Sequence, residues 1–160
     1  MAFPIVEKTK QIIYDHGPNI IRSDYWETGM NPVTEKPVGW LGRLQAAPGV
    51  NKTNPTDPHI GGRALDIILR NSITSELNVA NELVGVFLGL RTKMKWIAVI
   101  YNKWEWNSMG TKFPRGGDAI NQHLTHIHIE WRAADGSLTG FEPDLESALK
   151  GMAPSDTDYE

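Results

Sequence analysis

The chain of 160 residues contains no cysteine. Disulfide bonds and thiolate metal ligands are therefore excluded. Basic residues are also few, because 16 Lys and Arg stand against 19 Asp and Glu, which gives a formal net charge of −3. Nucleic-acid-binding domains usually carry a basic patch, so this balance argues against a nucleic-acid partner.

Long hydrophobic runs are absent as well. No stretch reaches the roughly 20 apolar residues that a transmembrane helix needs, and we expect no membrane association. Residues 1–8 lack the apolar core after a basic start that marks a secretory signal. We therefore expect synthesis in the cytoplasm without a signal peptide. A protein of this kind that acts outside the cell must be released by lysis or carried by a delivery machinery.

Histidine is scarce, yet four of the five histidines lie in two short clusters. The clusters contain His59 with Asp66, and His123 with His126 and His128. A catalytic zinc takes three protein ligands and leaves a fourth position for water. The chain offers three candidate ligands for one Zn²⁺ ion, namely His59, Asp66 and His128. The two remaining histidines, His126 and His123, are candidates for proton transfer.

The second cluster is typical of a half-buried strand, because its residues alternate with period two. Ile127 and Ile129 are expected in the core. His126, His128 and Glu130 then share the opposite face. The alternative is an exposed polar strand face that carries solvated histidines, and the presence of the first cluster favours the metal site.

The first cluster needs a bend. Seven residues of straight strand would separate His59 from Asp66 by roughly 23 Å, and both ligands must lie about 2 Å from one metal. Gly61 and Gly62 can supply the bend, since glycine takes backbone angles that other residues avoid. Asp66 lies among apolar residues, where an unpaired carboxylate is costly and a cation would offset the cost. The alternative is a simple Gly-Gly turn with Asp66 as a local cap.

At these residues the chain resembles a superfamily of zinc peptidases, which includes D-Ala-D-Ala carboxypeptidases, murein endopeptidases and the hedgehog signalling domain. The segment from His59 to Asp66 matches the HxxGxAxD signature of that superfamily. The segment from His123 to His128 matches the HxxHxH form of its second half. Asp57 stands where the signature usually has a leading Ser.

The resemblance covers roughly residues 40–131 and implies a role for each matching residue. His59, Asp66 and His128 would bind zinc. His126 would stand beside the metal as a catalytic group, and His123 would assist it. An Arg about sixteen residues before the first ligand would hold the substrate carboxylate or the developing oxyanion.

Arg43 lies at that distance from the first ligand, and Arg22 is its competitor. An Arg fork can bind a carboxylate through two hydrogen bonds, which favours substrates with a free carboxyl group. Zinc lowers the pKa of a bound water, and a neighbouring base then takes the proton. His126 is the first choice for that base, and Glu130 is the second because it shares the same strand face.

The sequence therefore predicts zinc-dependent hydrolysis of an amide bond in peptidoglycan, with stem peptides or cross-links as the substrate. The enzyme would be a D,D-carboxypeptidase or a D,D-endopeptidase, and it would act on the cell wall in the periplasm after lysis or delivery. It would be a phage endolysin or a delivered antibacterial effector, and an effector would have an immunity protein as a partner. A metal-dependent nuclease toxin and a non-catalytic zinc-binding module are the alternatives.

The predicted fold is α+β, with a small antiparallel sheet that carries the zinc site, flanking helices and long ordered loops. Helices are predicted at 4–16, 73–92 and 142–150, and strands at 64–69, 95–101, 103–106 and 125–131. Two long loops are predicted at 23–58 and 107–122. Residues 1–152 are predicted to form one domain, followed by an acidic flexible tail at 153–160.

Overall fold

The computed structural model describes residues 3–18, 62–115, 123–124 and 126–152. The elements in chain order are α1 (Pro4–His16), β1 (Ala64–Ile68), α2 (Thr74–Gly89), α3 (Arg91–Met94), β2 (Ala98–Tyr101), β3 (Trp104–Asn107), β4 (Lys112–Pro114), β5 (His126–Glu130), a 3₁₀ helix (Ala133–Asp135) and α4 (Glu142–Lys150). Helices therefore accompany one antiparallel sheet, and the predicted α+β class is confirmed.

The five described strands form one sheet in the order β1-β5-β2-β3-β4. Every neighbouring pair is antiparallel. Strand β5 therefore has a hydrogen-bonded neighbour on each side, and one of these neighbours, β1, lies far away in the sequence. This position holds the backbone of the histidine strand between two ladders.

One face of the sheet packs against the helices. Ile127 and Ile129 of β5 are fully buried, as their alternation predicted. They stand opposite Ile67 and Leu65 of β1, which are also fully buried. Apolar residues of α1, α2 and α4 complete the same core cluster. Each such side chain contributes roughly 1.5–3 kcal/mol through burial, so this face anchors the sheet and leaves the other face for the histidines.

Helix α1 has the predicted bounds and clear end signals. Pro4 occupies its first turn, where a missing N–H costs nothing. The N–H of Gly17 bonds to the carbonyl of Ile13 at 2.8 Å, and Pro18 follows. The N–H of Phe3 donates to the carbonyl of Gly62 at 2.8 Å, which ties the start of α1 to the segment that enters β1.

The helix predicted at 73–92 ends earlier than expected. Helix α2 stops at Gly89, and Leu90 leaves helical geometry with φ −103° and ψ 11°. The short helix α3 follows and ends at Met94, and the next residue, Lys95, has a φ of 55°. The indole of Trp96 donates to the carbonyl of Phe87 at 2.9 Å, which holds the chain in this turn. Strand β2 consequently begins at Ala98, three residues later than the sequence predicted.

The tight turn predicted at Asn102 is present. Asn102 and Lys103 have φ values of 50° and 76°, as a two-residue turn of the primed type requires. Strand β4 lies inside the segment 107–122, which was predicted as a loop, so that prediction is wrong for Lys112–Pro114. The side chain of Asn107 accepts hydrogen bonds from the N–H groups of Met109 and Thr111, both at 3.0 Å, and so closes the turn before β4.

Among the described helices, none is long and apolar enough to cross a membrane. The predicted helix at 142–150 is confirmed as α4. The long loop predicted at 23–58 and the tail predicted at 153–160 lie outside the described residues.

Candidate metal centre

Strands β1 and β5 bring the two sequence clusters together. Their register places Asp66 directly opposite His128, and Ile68 directly opposite His126. Directly opposed residues on one sheet face have Cβ atoms about 4.5–5.5 Å apart. The side chains of Asp66 and His128 therefore meet although 62 positions separate them in the sequence.

The side chains of Asp66, His126 and His128 are buried and close to one another. Nδ1 of His128 lies 3.2 Å from Oδ1 of Asp66. Nε2 of His126 lies 3.8 Å from the same oxygen. The carboxylate of Asp66 is thus shared between two imidazoles, which explains how it is accommodated on a buried strand.

His123 joins the cluster from the segment before β5. Its ring centroid lies 4.9 Å from that of His126 and 5.2 Å from that of His128. The N–H of Asn102 donates to the carbonyl of His123 at 2.8 Å, and the N–H of Asn71 donates to that of Leu124, also at 2.8 Å. Because these two bonds fix the backbone, the His123 ring is held against the strand histidines.

The side chains of the two anchoring asparagines also bond to each other. Nδ2 of Asn71 donates to Oδ1 of Asn102 at 2.9 Å. This bond joins the end of the β1 segment to the β2–β3 turn. Neither asparagine was predicted to act at the site, and nothing in the local sequence pattern marks them.

Glu130 completes the cluster on the same face of β5. Its Oε1 lies 3.1 Å from Nε2 of His128, so this imidazole stands between two carboxylates. Burial lowers the pKa of His128, but hydrogen bonds with Asp66 and Glu130 and the charges of these carboxylates outweigh burial and raise it to about 9. In the metal-free protein at neutral pH, His128 therefore carries a proton on both ring nitrogens.

The pKa of His123 is shifted in the opposite direction. Burial is the main cause that lowers it to about 3, and the nearby His128 and His126 lower it further. His123 is therefore neutral at neutral pH. Its Nδ1 is buried and has no hydrogen-bond partner among the residues that the structure describes. A neutral ring of this kind can accept a hydrogen bond from a group brought into the site.

Within the described ranges, no three His, Asp or Glu side chains form a ready metal-binding group. The 3.2 Å between Asp66 Oδ1 and His128 Nδ1 nevertheless suits a shared cation. Two zinc ligand atoms at about 2.0–2.1 Å from the metal lie about 3.3 Å apart at neighbouring corners of a tetrahedron. These two residues therefore fit zinc as a pair, and a third ligand is needed.

The predicted third ligand, His59, lies outside the described residues, and so do Arg43 and its competitor Arg22. Their parts in the site stay predictions. Gly62, at the end of the predicted bend, has a φ of 76°, a value that favours glycine. Strand β1 then begins at Ala64, as predicted.

The structure adds an ion pair that sequence reasoning missed. Glu105 of β3 stands opposite Ile100, which stands opposite His128, so all three belong to one row across the sheet. Nη1 of Arg115 lies 2.5 Å from Oε1 of Glu105. The positive charge of Arg115 is close enough to lower the pKa of His123. The sequence carries no signal for this row, because it depends on the strand register.

Comparison with known proteins identifies no relative of the chain. No family model, no curated protein and no solved structure matches it. The resemblance to zinc peptidases therefore depends on the two short motifs.

Proposed function

We propose that this protein is a zinc-dependent peptidase that acts on bacterial cell-wall peptides. The observation that supports the proposal most directly is the register of β1 and β5, which sets Oδ1 of Asp66 3.2 Å from Nδ1 of His128. Two further histidines, His126 and His123, stand beside this pair. A structural metal site has no need of such additional bases, so their presence favours an enzyme.

The proposed metal ligands are His59, Asp66 and His128. A zinc ion held there would polarise the scissile carbonyl and lower the pKa of a bound water. The ligand set of two imidazoles and one carboxylate, with a position left for water, is typical of catalytic zinc sites.

His126 is the proposed general base. It is buried on the same strand face as His128, and its Nε2 lies 3.8 Å from Oδ1 of Asp66. The carboxylate stabilises the imidazolium that forms when Nε2 takes a proton. General acid–base help of this kind is typically worth ~10²–10⁴ in rate. His123 is neutral and adjacent, so it can assist by accepting a hydrogen bond.

The substrate class follows from the resemblance to cell-wall peptidases. We expect cleavage of an amide next to a D-amino acid in the stem peptide or the cross-link. Arg43, or its competitor Arg22, would hold the substrate carboxylate. The enzyme would act as a phage endolysin or as a delivered effector with an immunity protein, and it would reach the periplasm by lysis or by a delivery machinery.

The test is digestion of purified peptidoglycan with the zinc-loaded protein, followed by mass spectrometry of the muropeptides. Loss of a terminal D-Ala would define a carboxypeptidase, and conversion of cross-linked dimers to monomers would define an endopeptidase. We expect His126→Ala to abolish the product. His16→Ala is the matched control, because His16 lies at the end of α1 and contacts Glu146, away from the site.

Unchanged muropeptides with the zinc-loaded wild-type protein would refute the proposal. The same preparation then separates the two alternatives. Cleavage of DNA would indicate the nuclease, and stoichiometric zinc without any cleavage would indicate the binding module.

A further inference from the structure

The imidazole of His128 is held at both nitrogens by carboxylates on opposite sides of its ring. Nδ1 faces Oδ1 of Asp66 at 3.2 Å, and Nε2 faces Oε1 of Glu130 at 3.1 Å. Only the Asp66 side belongs to the proposed metal centre. The contact on the far side therefore calls for a separate explanation.

We propose that Glu130 is a positioning residue that holds His128 with Nε2 protonated, so that Nδ1 is the nitrogen that binds the metal. The inference rests on the proposed function and deepens it, because it assigns the metal-binding nitrogen. A neutral imidazole carries one N–H, and an ionised carboxylate can only accept a hydrogen bond. If a metal took the place of the Nδ1 proton, the carboxylate of Glu130 would therefore keep the remaining proton on Nε2, and Nδ1, which faces Asp66, would bind the metal.

The register explains why Glu130 can reach back to His128. Glu130 stands opposite Ala64 in β1 and opposite Ala98 in β2. Both cross-strand neighbours on this face are alanines, whose side chains end at Cβ and leave room for the carboxylate. A larger residue at either position would compete with the carboxylate for that space, because directly opposed Cβ atoms are about 4.5–5.5 Å apart.

The same geometry separates Glu130 from the role of general base. Its contact is with Nε2, the nitrogen that points away from Asp66. A base must reach the water on the metal side of the ring. Glu130 therefore acts through His128, in the way that carboxylates beyond the ligand shell orient metal-binding histidines.

The test compares zinc affinity among variants by competition with a chelator. We expect Glu130→Ala to weaken zinc binding by about 10–100-fold, the usual effect of losing such an orienting group. Glu130→Gln should weaken it less, since the amide oxygen can still accept a hydrogen bond from Nε2–H of His128. Glu146→Ala is the control, because Glu146 lies in α4 and pairs with His16 and Lys150, away from the site. It should bind zinc like the wild type.

A second measurement reports the orientation directly. Long-range ¹H–¹⁵N spectra of the zinc-loaded wild type should show His128 with a protonated Nε2. Ala98→Leu, which fills the space beside the carboxylate, should reduce zinc affinity in the same direction as Glu130→Ala. Circular dichroism of each variant checks that the fold is retained.

The outcomes separate this inference from the proposed function. Wild-type zinc affinity in Glu130→Ala, or zinc on Nε2 with Nδ1 protonated, would overturn the positioning role and leave the peptidase proposal standing. A wild-type protein that binds no zinc would overturn the proposed function and this inference together.

Discussion

Replacing Glu76 with Ala should destabilise the protein by about 3 kcal/mol. Glu76 lies in the first turn of α2 and is only 2% exposed. Oε1 of Glu76 accepts a hydrogen bond from the backbone N–H of Arg70 at 3.0 Å. The guanidinium of Arg70 donates to both carboxylate oxygens of Glu76, with distances between 2.5 and 3.2 Å. The substitution therefore removes one carboxylate that satisfies a backbone group and a guanidinium together.

The size of this loss in stability follows from the exposure of Arg70, the ion-pair partner of Glu76. Breaking a fully buried ion pair costs about 3–5 kcal/mol, because one charge is left buried. The side chain of Arg70 is 33% exposed and can regain water, so the low end of that range applies. For a chain of this size about 3 kcal/mol corresponds to a fall in Tm of roughly 6–12 °C.

Urea unfolding followed by tryptophan fluorescence measures the change. Tyr101 offers an independent readout, since burial and then the charge of Glu76 raise the pKa of its phenol. In Glu76→Ala that pKa should fall but stay above its ordinary value, because burial is the larger cause. Glu82→Ala, on the exposed side of the same helix, should change stability by no more than about 0.5 kcal/mol. A loss below about 1 kcal/mol in Glu76→Ala would refute the reasoning.

Three further predictions concern the candidate metal centre and the turn between β2 and β3. In EDTA the urea midpoint should fall as the pH rises from 6.5 to 9. The reason is that folding raises the pKa of His128 from 6.5 to about 9. The contribution of protonated His128 to stability is therefore complete below pH 6.5 and is lost as the pH rises through 9. A His128→Gln protein should lack that component of the slope. Asp66→Asn should not bind the stoichiometric zinc that we expect of the wild type, and it should lack the stabilisation expected from that zinc, about 2.7 kcal/mol when free zinc is 100-fold above Kd. Unchanged metal content by mass spectrometry would reject Asp66 as a ligand. Lys103→Gly should raise stability by about 0.5–1 kcal/mol in thermal unfolding, because Lys103 has a φ of 76° and Gly is preferred after Asn in this turn.

Alternation along β5 was sufficient to predict which residues face the core. It placed Ile127 and Ile129 inside, and His126, His128 and Glu130 together on the other face. Such a pattern is local, since each side chain's face follows from its position in the strand. The helices at 4–16 and 142–150 were predicted with their observed bounds, and their end signals are local as well, since each has Pro in its first turn and Gly just beyond its end.

The pairing of distant strands could not be predicted in the same way. The contact of Asp66 with His128 was expected from the motifs, but its register became known only from the sheet. The row from His128 to Glu105, and the ion pair of Glu105 with Arg115, depend on that register as well. Strand β4 was missed because it has three exposed residues and ends in Pro, so it shows neither alternation nor an apolar run.

The pairing of β1 with β5 has a consequence for how the chain would acquire the proposed metal. The three clustered histidines lie within six residues of sequence, so an unfolded chain can already hold a cation among them. Asp66 joins them only after a segment of about 60 residues has been closed, and such closure has an entropic cost. Coordination that includes Asp66 would therefore be available only to a chain in which β1 and β5 have paired. Metal occupancy that includes Asp66 would report the completion of folding.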